Sequence, residues 1–506
     1  MPEYLSFRDG INWQDPPYQL GELQCILMQN MRHRNEYMES MPGNIRFHGT
    51  TLGTNPITAI MPYNNEENGE FKLLVASGGS VYERNPGTNQ FTERASGLTP
   101  NSIVSSTQRH NTLYIAEGQT IKKFTGGTIL ENVGGGATAP GAFRQVLYMK
   151  EVDRIFGIRQ SAILGQIGWC DFQEPEIWDP TSVDRIKLQD GETTEWAEIL
   201  YGKLIILNTY SIWIYYVSGN EENWRLEQAP VDVGTVAFKT VKKVGNEIWF
   251  LGESPKRVRG VYAFNGSTVR LLTYDINPLI ARINRDKLEN CCAELHDGLY
   301  TLSFPFDASI TNNMSIDLDT LVLKEDGNPA IYGPHDIYFY SSAVLDGKNN
   351  TKQFLMGDET DGFVYREGGT TLKSPTTGAD GTLLRNRFLS AVYMDKGIDV
   401  TKKYEGMSVF FKQRGFFQAR FRAYFSHYQA NPTDYLDNLI DVSWERLIYG
   451  TPDLSEFHQP LGVNDFGTSI QLEVLNDNLA QRIAIQGVKY DAKELYANKT
   501  VQNYVS

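Results

Sequence analysis

From about residue 55 to about residue 370 the chain repeats one short event: an apolar strand, a tight turn, a second strand ending in an aromatic, then Gly, Asn or Thr. Phe71-Lys-Leu-Leu-Val-Ala, Ser77-Gly-Gly and Ser80-Val-Tyr-Glu-Arg-Asn form one instance, with Asn89-Gln-Phe-Thr after it. Asn111-Thr-Leu-Tyr-Ile-Ala with Thr120-Ile-Lys-Lys-Phe-Thr-Gly-Gly forms another. Lys203-Leu-Ile-Ile-Leu-Asn with Ser211-Ile-Trp-Ile-Tyr-Tyr-Val, Glu247-Ile-Trp-Phe-Leu-Gly with Gly260-Val-Tyr-Ala-Phe-Asn-Gly-Ser-Thr, and Gln353-Phe-Leu-Met-Gly with Gly362-Phe-Val-Tyr-Arg-Glu-Gly-Gly continue the series. Such a unit is a small antiparallel sheet that cannot bury its faces alone. Copies must therefore stack, as in a β-propeller, or pair, as in two successive β-sandwiches. A four-stranded blade takes about 40 to 50 residues, so the span 55–380 predicts a propeller of about six or seven blades. Runs such as Leu204-Ile-Ile-Leu, apolar at successive positions, fit strands covered on both faces.

The flanks read differently. In residues 1–54 a loop at Asp15-Pro-Pro, an apolar stretch from Leu20 to Met31 and a turn at Met41-Pro-Gly describe an extended arm that covers a sheet edge or closes a ring. Residues 381–493 alternate strictly, with Ala419, Phe421, Ala423 and Phe425 on one face and Gln418, Arg420, Arg422 and Tyr424 on the other. That pattern predicts a C-terminal antiparallel β-sandwich, followed by a polar tail at 494–506. The expected fold class is thus all-β.

Charge and cysteine usage narrow the function. Lys and Arg number 47 against 61 Asp and Glu, a net charge of −14, which opposes the phosphate neutralisation a DNA reader depends on. The opening MPEYLSFRDG is no secretory leader and no stretch reaches the roughly 18 apolar residues of a membrane helix, so neither export nor a membrane anchor is expected. Cys25, Cys170, Cys291 and Cys292 lack the spacing of a disulfide framework or a zinc ribbon and read as free thiols.

No motif with the spacing of a known chemistry is present. The seven histidines give no H-E-x-x-H, and neither a nucleophile elbow nor a phosphate loop occurs; Gly134-Gly-Gly reads as a linker. Glu174, Glu176, Trp178 and Asp179 are the residue types of a glycosidase site, but Pro175 and Pro180 place them on an exposed turn. Asp317-Leu-Asp-Thr and Asp358-Glu-Thr-Asp-Gly are fragments of calcium loops without the full ligand spacing. Cys291-Cys292 reads as two buried small residues rather than a redox switch. Lys402, Lys403, Lys412, Arg414, Arg420 and Arg422 read as a solvated sheet face or a surface for an acidic partner rather than a nucleic-acid platform. No catalytic, cofactor-binding or metal-ligating residue is assigned, no cofactor is expected, and the chain is read as a non-enzyme.

One resemblance bears on partners. Glu22-Leu-Gln-Cys-Ile-Leu-Met-Gln-Asn-Met, Tyr37-Met-Glu-Ser-Met-Pro-Gly, Val75-Ala-Ser-Gly-Gly-Ser-Val-Tyr, the stretch from Trp196 to Gly219, and Asn246-Glu-Ile-Trp-Phe-Leu-Gly with Gly260-Val-Tyr-Ala-Phe-Asn-Gly follow in an order similar to the tail hub or nozzle proteins of short-tailed bacteriophages. These are also called tail accessory factors or DNA-stabilisation proteins. The resemblance covers about residues 20 to 370; the segment from Asp307 to Pro334 and the C-terminal sandwich depart from it. It implies a virion tail protein assembled in the host cytoplasm, forming a homo-oligomeric ring, a hexamer. That ring would extend the DNA channel below portal and adaptor and dock tail fibres or spikes. Genomic DNA would be cargo only, its passage eased by an acidic wall. The alternative for the same residues is a glycan-binding or glycan-cleaving β-propeller protein.

Overall fold

The computed structural model describes residues 7–497 except 22, 35–36, 66, 68, 128, 136–138, 161–162, 190, 257, 347–351, 369–383, 394–399, 413–417, 426–444, 450–455, 462–464, 468 and 477–483. Its regular structure is nearly all strand, arranged as many small antiparallel sheets, as the repeat predicts. Sheet I comprises Ile57–Asn65, Glu70–Ser77, Ser80–Asn85 and Gln90–Ser96. Sheet II starts at Ser105–Arg109, sheet III at Phe143–Met149 and sheet IV at Thr194–Leu200, each with three further strands in chain order. In sheet V, Lys242–Val244 and Gly234–Thr235 both pair with Glu247–Glu253. Sheet VI starts at Cys292–His296 and sheet VII at Ser341–Asp346.

Short turns set the register. Leu200 pairs with Lys203 across Tyr201-Gly202, and His296 with Leu299 across Asp297-Gly298, all four turn residues having positive φ. Two successive left-handed residues give the turn whose twist matches that of the strands, and Gly supplies one of them without strain.

The first strand of each sheet, or Lys242–Val244 in sheet V, packs against that of the next, from I through VII, and that of VII packs back on that of I. Polar side chains stitch every junction. From I to II, Gln108 Oε1 accepts the Asn64 N–H at 3.0 Å. From II to III, the Thr107 hydroxyl accepts the Tyr148 N–H at 3.0 Å. From III to IV, the buried Gln145 amide donates to the Ala197 carbonyl and accepts its N–H, both at 2.8 Å. The Tyr201 hydroxyl reaches the Asn246 carbonyl between IV and V, and Tyr300 reaches that of Thr240 between V and VI. Ser342 donates to Glu294 between VI and VII, and Ser341 to the Ile57 carbonyl between VII and I.

The N-terminal arm is woven through the rest. Asn44–Arg46 is the fourth strand of sheet VII, paired antiparallel to Val364–Glu367. Gly10–Ile11 lies parallel between Pro329–His335 of sheet VI and Gln24–Gln29. A Cβ on Gly10 would stand 2.1 Å from the Ile331 carbonyl oxygen, so only glycine lets the backbones approach. Through Gln24–Gln29, sheet VI continues into Asn386–Ser390, Ile470–Asn476, Gln418–Phe425 and Glu445–Tyr449, ten strands in all. Met31–Arg34 and Tyr37–Ser40 join Ala484–Ala497, Val400–Lys412 and Glu456–Leu461 in a second large sheet. One core spans both, with Phe7, Trp13, Ile26 and Met28 of the arm packed among Leu302, Phe388, Phe421, Leu472 and Val488. No helix among the described residues is long and apolar enough to cross a membrane.

Candidate functional site

Where the seven first strands meet there is a cavity of about 280 Å³, bordered by residues of every sheet. Most first strands border it with consecutive residues, as at Thr58–Met61, Ser105–Thr107 and Gln145–Leu147, whereas sheet IV contributes the alternate positions Trp196 and Glu198. Hydroxyls from Thr58, Ser105, Ser106, Thr107, Ser341 and Ser342 supply part of the wall. Trp196, tilted against Phe238 with ring centroids 5.4 Å apart, supplies an apolar side. The charged groups at the cavity are Glu198, Lys239 and Lys242.

The environments of these three groups differ. Burial raises the Glu198 carboxyl above its usual range, only partly offset by the Ile199 N–H and by Lys242 and Lys243. Burial pushes the Lys239 amine down to about 8, with Cys292 and Glu359 working against the shift. Its ammonium lies 3.3 Å from the centre of the Tyr340 ring and donates to the Tyr340 carbonyl at 3.1 Å. Lys242 is buried too, and burial alone would lower it, yet Glu294 at 3.0 Å, Cys292 and Glu198 together hold the amine above its ordinary range. The same Glu294 oxygen accepts from Ser342, so this carboxylate is committed to two partners. A desolvated carboxyl, a desolvated amine, hydroxyls and an indole face can together hydrogen-bond and stack a small polar ligand.

The residues singled out by sequence do not gather at this site. Glu176 pairs with Lys123 at 2.9 Å and accepts the Gly134 N–H, and Asp179 accepts from both the backbone and hydroxyl of Thr181. Trp178 is buried against Phe143, its N–H on the Pro175 carbonyl, and Glu174 stands exposed on the turn. No carboxyl pair flanks a substrate space there. Asp319 caps the Leu321 and Val322 amides, and burial raises its carboxyl. Burial alone would raise Asp317, but His335, Arg32 and the Thr301 hydroxyl hold it lowered. Asp358 caps its own turn at Thr360 and Asp361, and Asp361, pushed up to about 7 by burial and by Asp358, accepts from Tyr365 at 2.6 Å. Among the described residues no group of three or more His, Cys, Asp or Glu is placed to hold a metal.

Cys291 and Cys292 are buried, and burial raises both thiols, Cys291 to about 12. Cys292 nevertheless borders the cavity, 3.6 Å from the Ser342 hydroxyl, with Lys239 and Lys242 near it in space though not in sequence. The side chains of Lys402, Lys403, Lys412, Arg414, Arg420 and Arg422 lie outside the described residues. Sequence reasoning missed Glu198, Lys239 and Lys242. The one available signal was polar residues inside otherwise apolar first strands, as in Thr194-Glu-Trp-Ala-Glu.

No family model matches the chain, and no curated protein matches it significantly. Among solved structures it is similar to the extracellular domain of a one-component system of B. thetaiotaomicron, at 8% identity over 70% of this chain and 40% of that one, TM-score 0.35. It is likewise similar to an extracellular domain of a hybrid two-component system of the same organism, at 9% identity over 78% of this chain and 46% of that one, TM-score 0.35. This chain spans less than half the length of either. Both titles name bacterial extracellular domains and neither names a phage tail protein; the tail-nozzle function expected from the sequence resemblance is left without support and is withdrawn. At a TM-score of 0.35 the likeness transfers neither a fold nor a ligand to this chain.

Proposed function

We propose that this chain is a seven-bladed β-propeller that binds a short glycan, one sugar ring or two, in the cavity on its axis. The blade reading is supported by the cyclic order in which the seven first strands touch and by the polar links at all seven junctions. The observation that carries the ligand reading is the cavity itself: strands from all seven sheets converge on it with Glu198, Lys239 and the Trp196 face. Ligand sites usually run from about 300 to 1,000 Å³, so a space of about 280 Å³ selects a small occupant. Sugar hydroxyls both donate and accept, and a carboxylate beside an amine serves both needs, while the C–H face of the ring packs on indole.

Binding without cleavage is the reading for the same space. Among the described residues bordering the cavity, Glu198 is the one carboxyl, whereas glycoside hydrolysis ordinarily uses two flanking the scissile bond. The test is a glycan array followed by calorimetry on the best binder. Glu198→Gln and Lys239→Met should each weaken binding tenfold or more, about 1.4 kcal/mol, with no sugar released on long incubation. An array without saturable binding, or affinities untouched by both changes, would discard the reading; release of reducing sugar would discard its non-enzymatic part.

A further inference from the structure

A second cavity, of about 520 Å³, lies where the arm crosses sheet VI and is bordered by Arg8, Arg32, His33, Arg34, Asp297, Leu299, Asp319, Leu321 and Val322. On a chain of net charge −14, three arginines and a histidine around one space are a local reversal of sign. The carboxylates present are already engaged: Asp297 accepts from Arg34 at 2.6 Å, and Asp319 accepts the Leu321 and Val322 amides. Arg32 is the unusual member. It is 3% exposed and ion-paired with Glu367, 3.4 Å from Nη1, yet its Nε and Nη1 make no hydrogen bond. A buried guanidinium with two unused N–H groups costs about 1–3 kcal/mol per unsatisfied group unless something accepts from them.

We propose that this cavity is an oxyanion site, taking the phosphate or sulfate group of a small molecule between Arg8, Arg32 and His33. Guanidinium N–H groups match the oxygens of such a group in pairs, and charge-assisted bonds of this kind are roughly twice as strong as neutral ones. The cavity exceeds one tetrahedral ion, and its Leu299, Leu321 and Val322 wall offers an apolar surface to whatever carries the group. His33 supplies a built-in reporter. Burial and the nearby Arg8 push it down to about 4, so it is neutral at pH 7, and an arriving anion beside it must raise that value.

The proposal is independent of the axial cavity and is tested on the full chain by calorimetry at pH 7. Inorganic phosphate, inorganic sulfate, glucose 6-phosphate and glucose are titrated at matched ionic strength, with the histidine Cε1 protons followed by NMR. Saturable binding at one site is expected, with the His33 titration moving up by a unit or more. Arg8→Gln and Arg32→Gln should each weaken it at least tenfold, while Lys239→Met leaves it unchanged. Arg8 is exposed, so its variant remains informative should Arg32→Gln fail to fold. Glucose 6-phosphate binding tenfold tighter than phosphate would assign the group to a sugar ester, and equal affinities would assign it to the free ion. Heats no larger than those of matched sodium chloride, wild-type phosphate affinity in Arg8→Gln, or glucose moving the His33 titration as far as its phosphate does would overturn the proposal.

Discussion

His48 is held by two contacts that only its neutral ring can make. Nδ1–H donates to the Thr50 carbonyl at 2.6 Å, and Nε2 accepts the Val364 N–H at 3.0 Å, between the rings of Phe91 and Phe363. Protonation would set an N–H against the N–H of Val364. Burial, with Arg46 nearby, accordingly pushes His48 down to about 4, and His33 is depressed to about 4 as well. Unfolded histidine titrates near 6.5, so between about pH 6.5 and 4 the unfolded chain binds more protons than the folded one. Stability is therefore complete above that window and falls as pH drops through it, His48 accounting for roughly 2–3 kcal/mol. Urea unfolding at pH 7 and pH 4.5 should show the loss, and His48→Gln should shrink it; an equal loss in both proteins would refute the assignment. Gln145 makes a comparable commitment without charge, because its amide satisfies both backbone groups of Ala197 across a sheet junction. Gln145→Leu strands both, and a cost of roughly 2–4 kcal/mol is expected in the same measurement, while a cost below about 0.5 kcal/mol would show that water substitutes for the amide.

Among the elements, Asn44–Arg46 has a long reach for its length, since three residues complete a sheet whose other strands begin nearly 300 residues later. Ile45→Pro should unpair this strand and leave Val364–Glu367 as an open edge, without touching the arm residues of the main core. The amides of Lys352–Gly357 and Val364–Glu367 should then exchange faster while those of sheet III stay protected. Uniform protection in the variant would mean that sheet VII holds without its fourth strand. This element also marks how far the sequence could be read. The hairpin announced by Gly78-Gly79 was legible, because a two-residue turn and its flanking strands sit in one short window. Asn44–Arg46 was not, because three residues carry no periodicity and their partner is remote; the arm showed only as an extended segment. The candidate site was illegible for a related reason. Each strand contributes one or two polar positions, and Glu198, Lys239 and Ser342 become neighbours only when the sheets are assembled.

For the whole molecule, the question is whether the seven sheets stand alone or depend on the C-terminal strands. Sheet VI does not stop at its fourth strand but runs on through Gly10–Ile11 and Gln24–Gln29 into Asn386–Ser390 and Ile470–Asn476. The core that unites them buries Phe7, Cys25, Ile26, Leu27 and Met28 of the arm together with Phe388, Leu472 and Val474, all at most 2% exposed. Deleting residues 386–506 would uncover those arm side chains, at about 1.5–3 kcal/mol for each large one returned to water, and open the edge of Gln24–Gln29. Losses of that size over several residues approach the 5–15 kcal/mol that holds a typical domain together. The full chain should therefore lose sheets I–VII and the C-terminal strands in one cooperative unfolding transition followed by circular dichroism and tryptophan fluorescence together. The deleted chain should melt well below it and bind a hydrophobic dye. A soluble residue 1–385 fragment that keeps the parent's midpoint would instead make the sheets an autonomous unit and the C-terminal strands an appendage, leaving the arm's burial without energetic consequence.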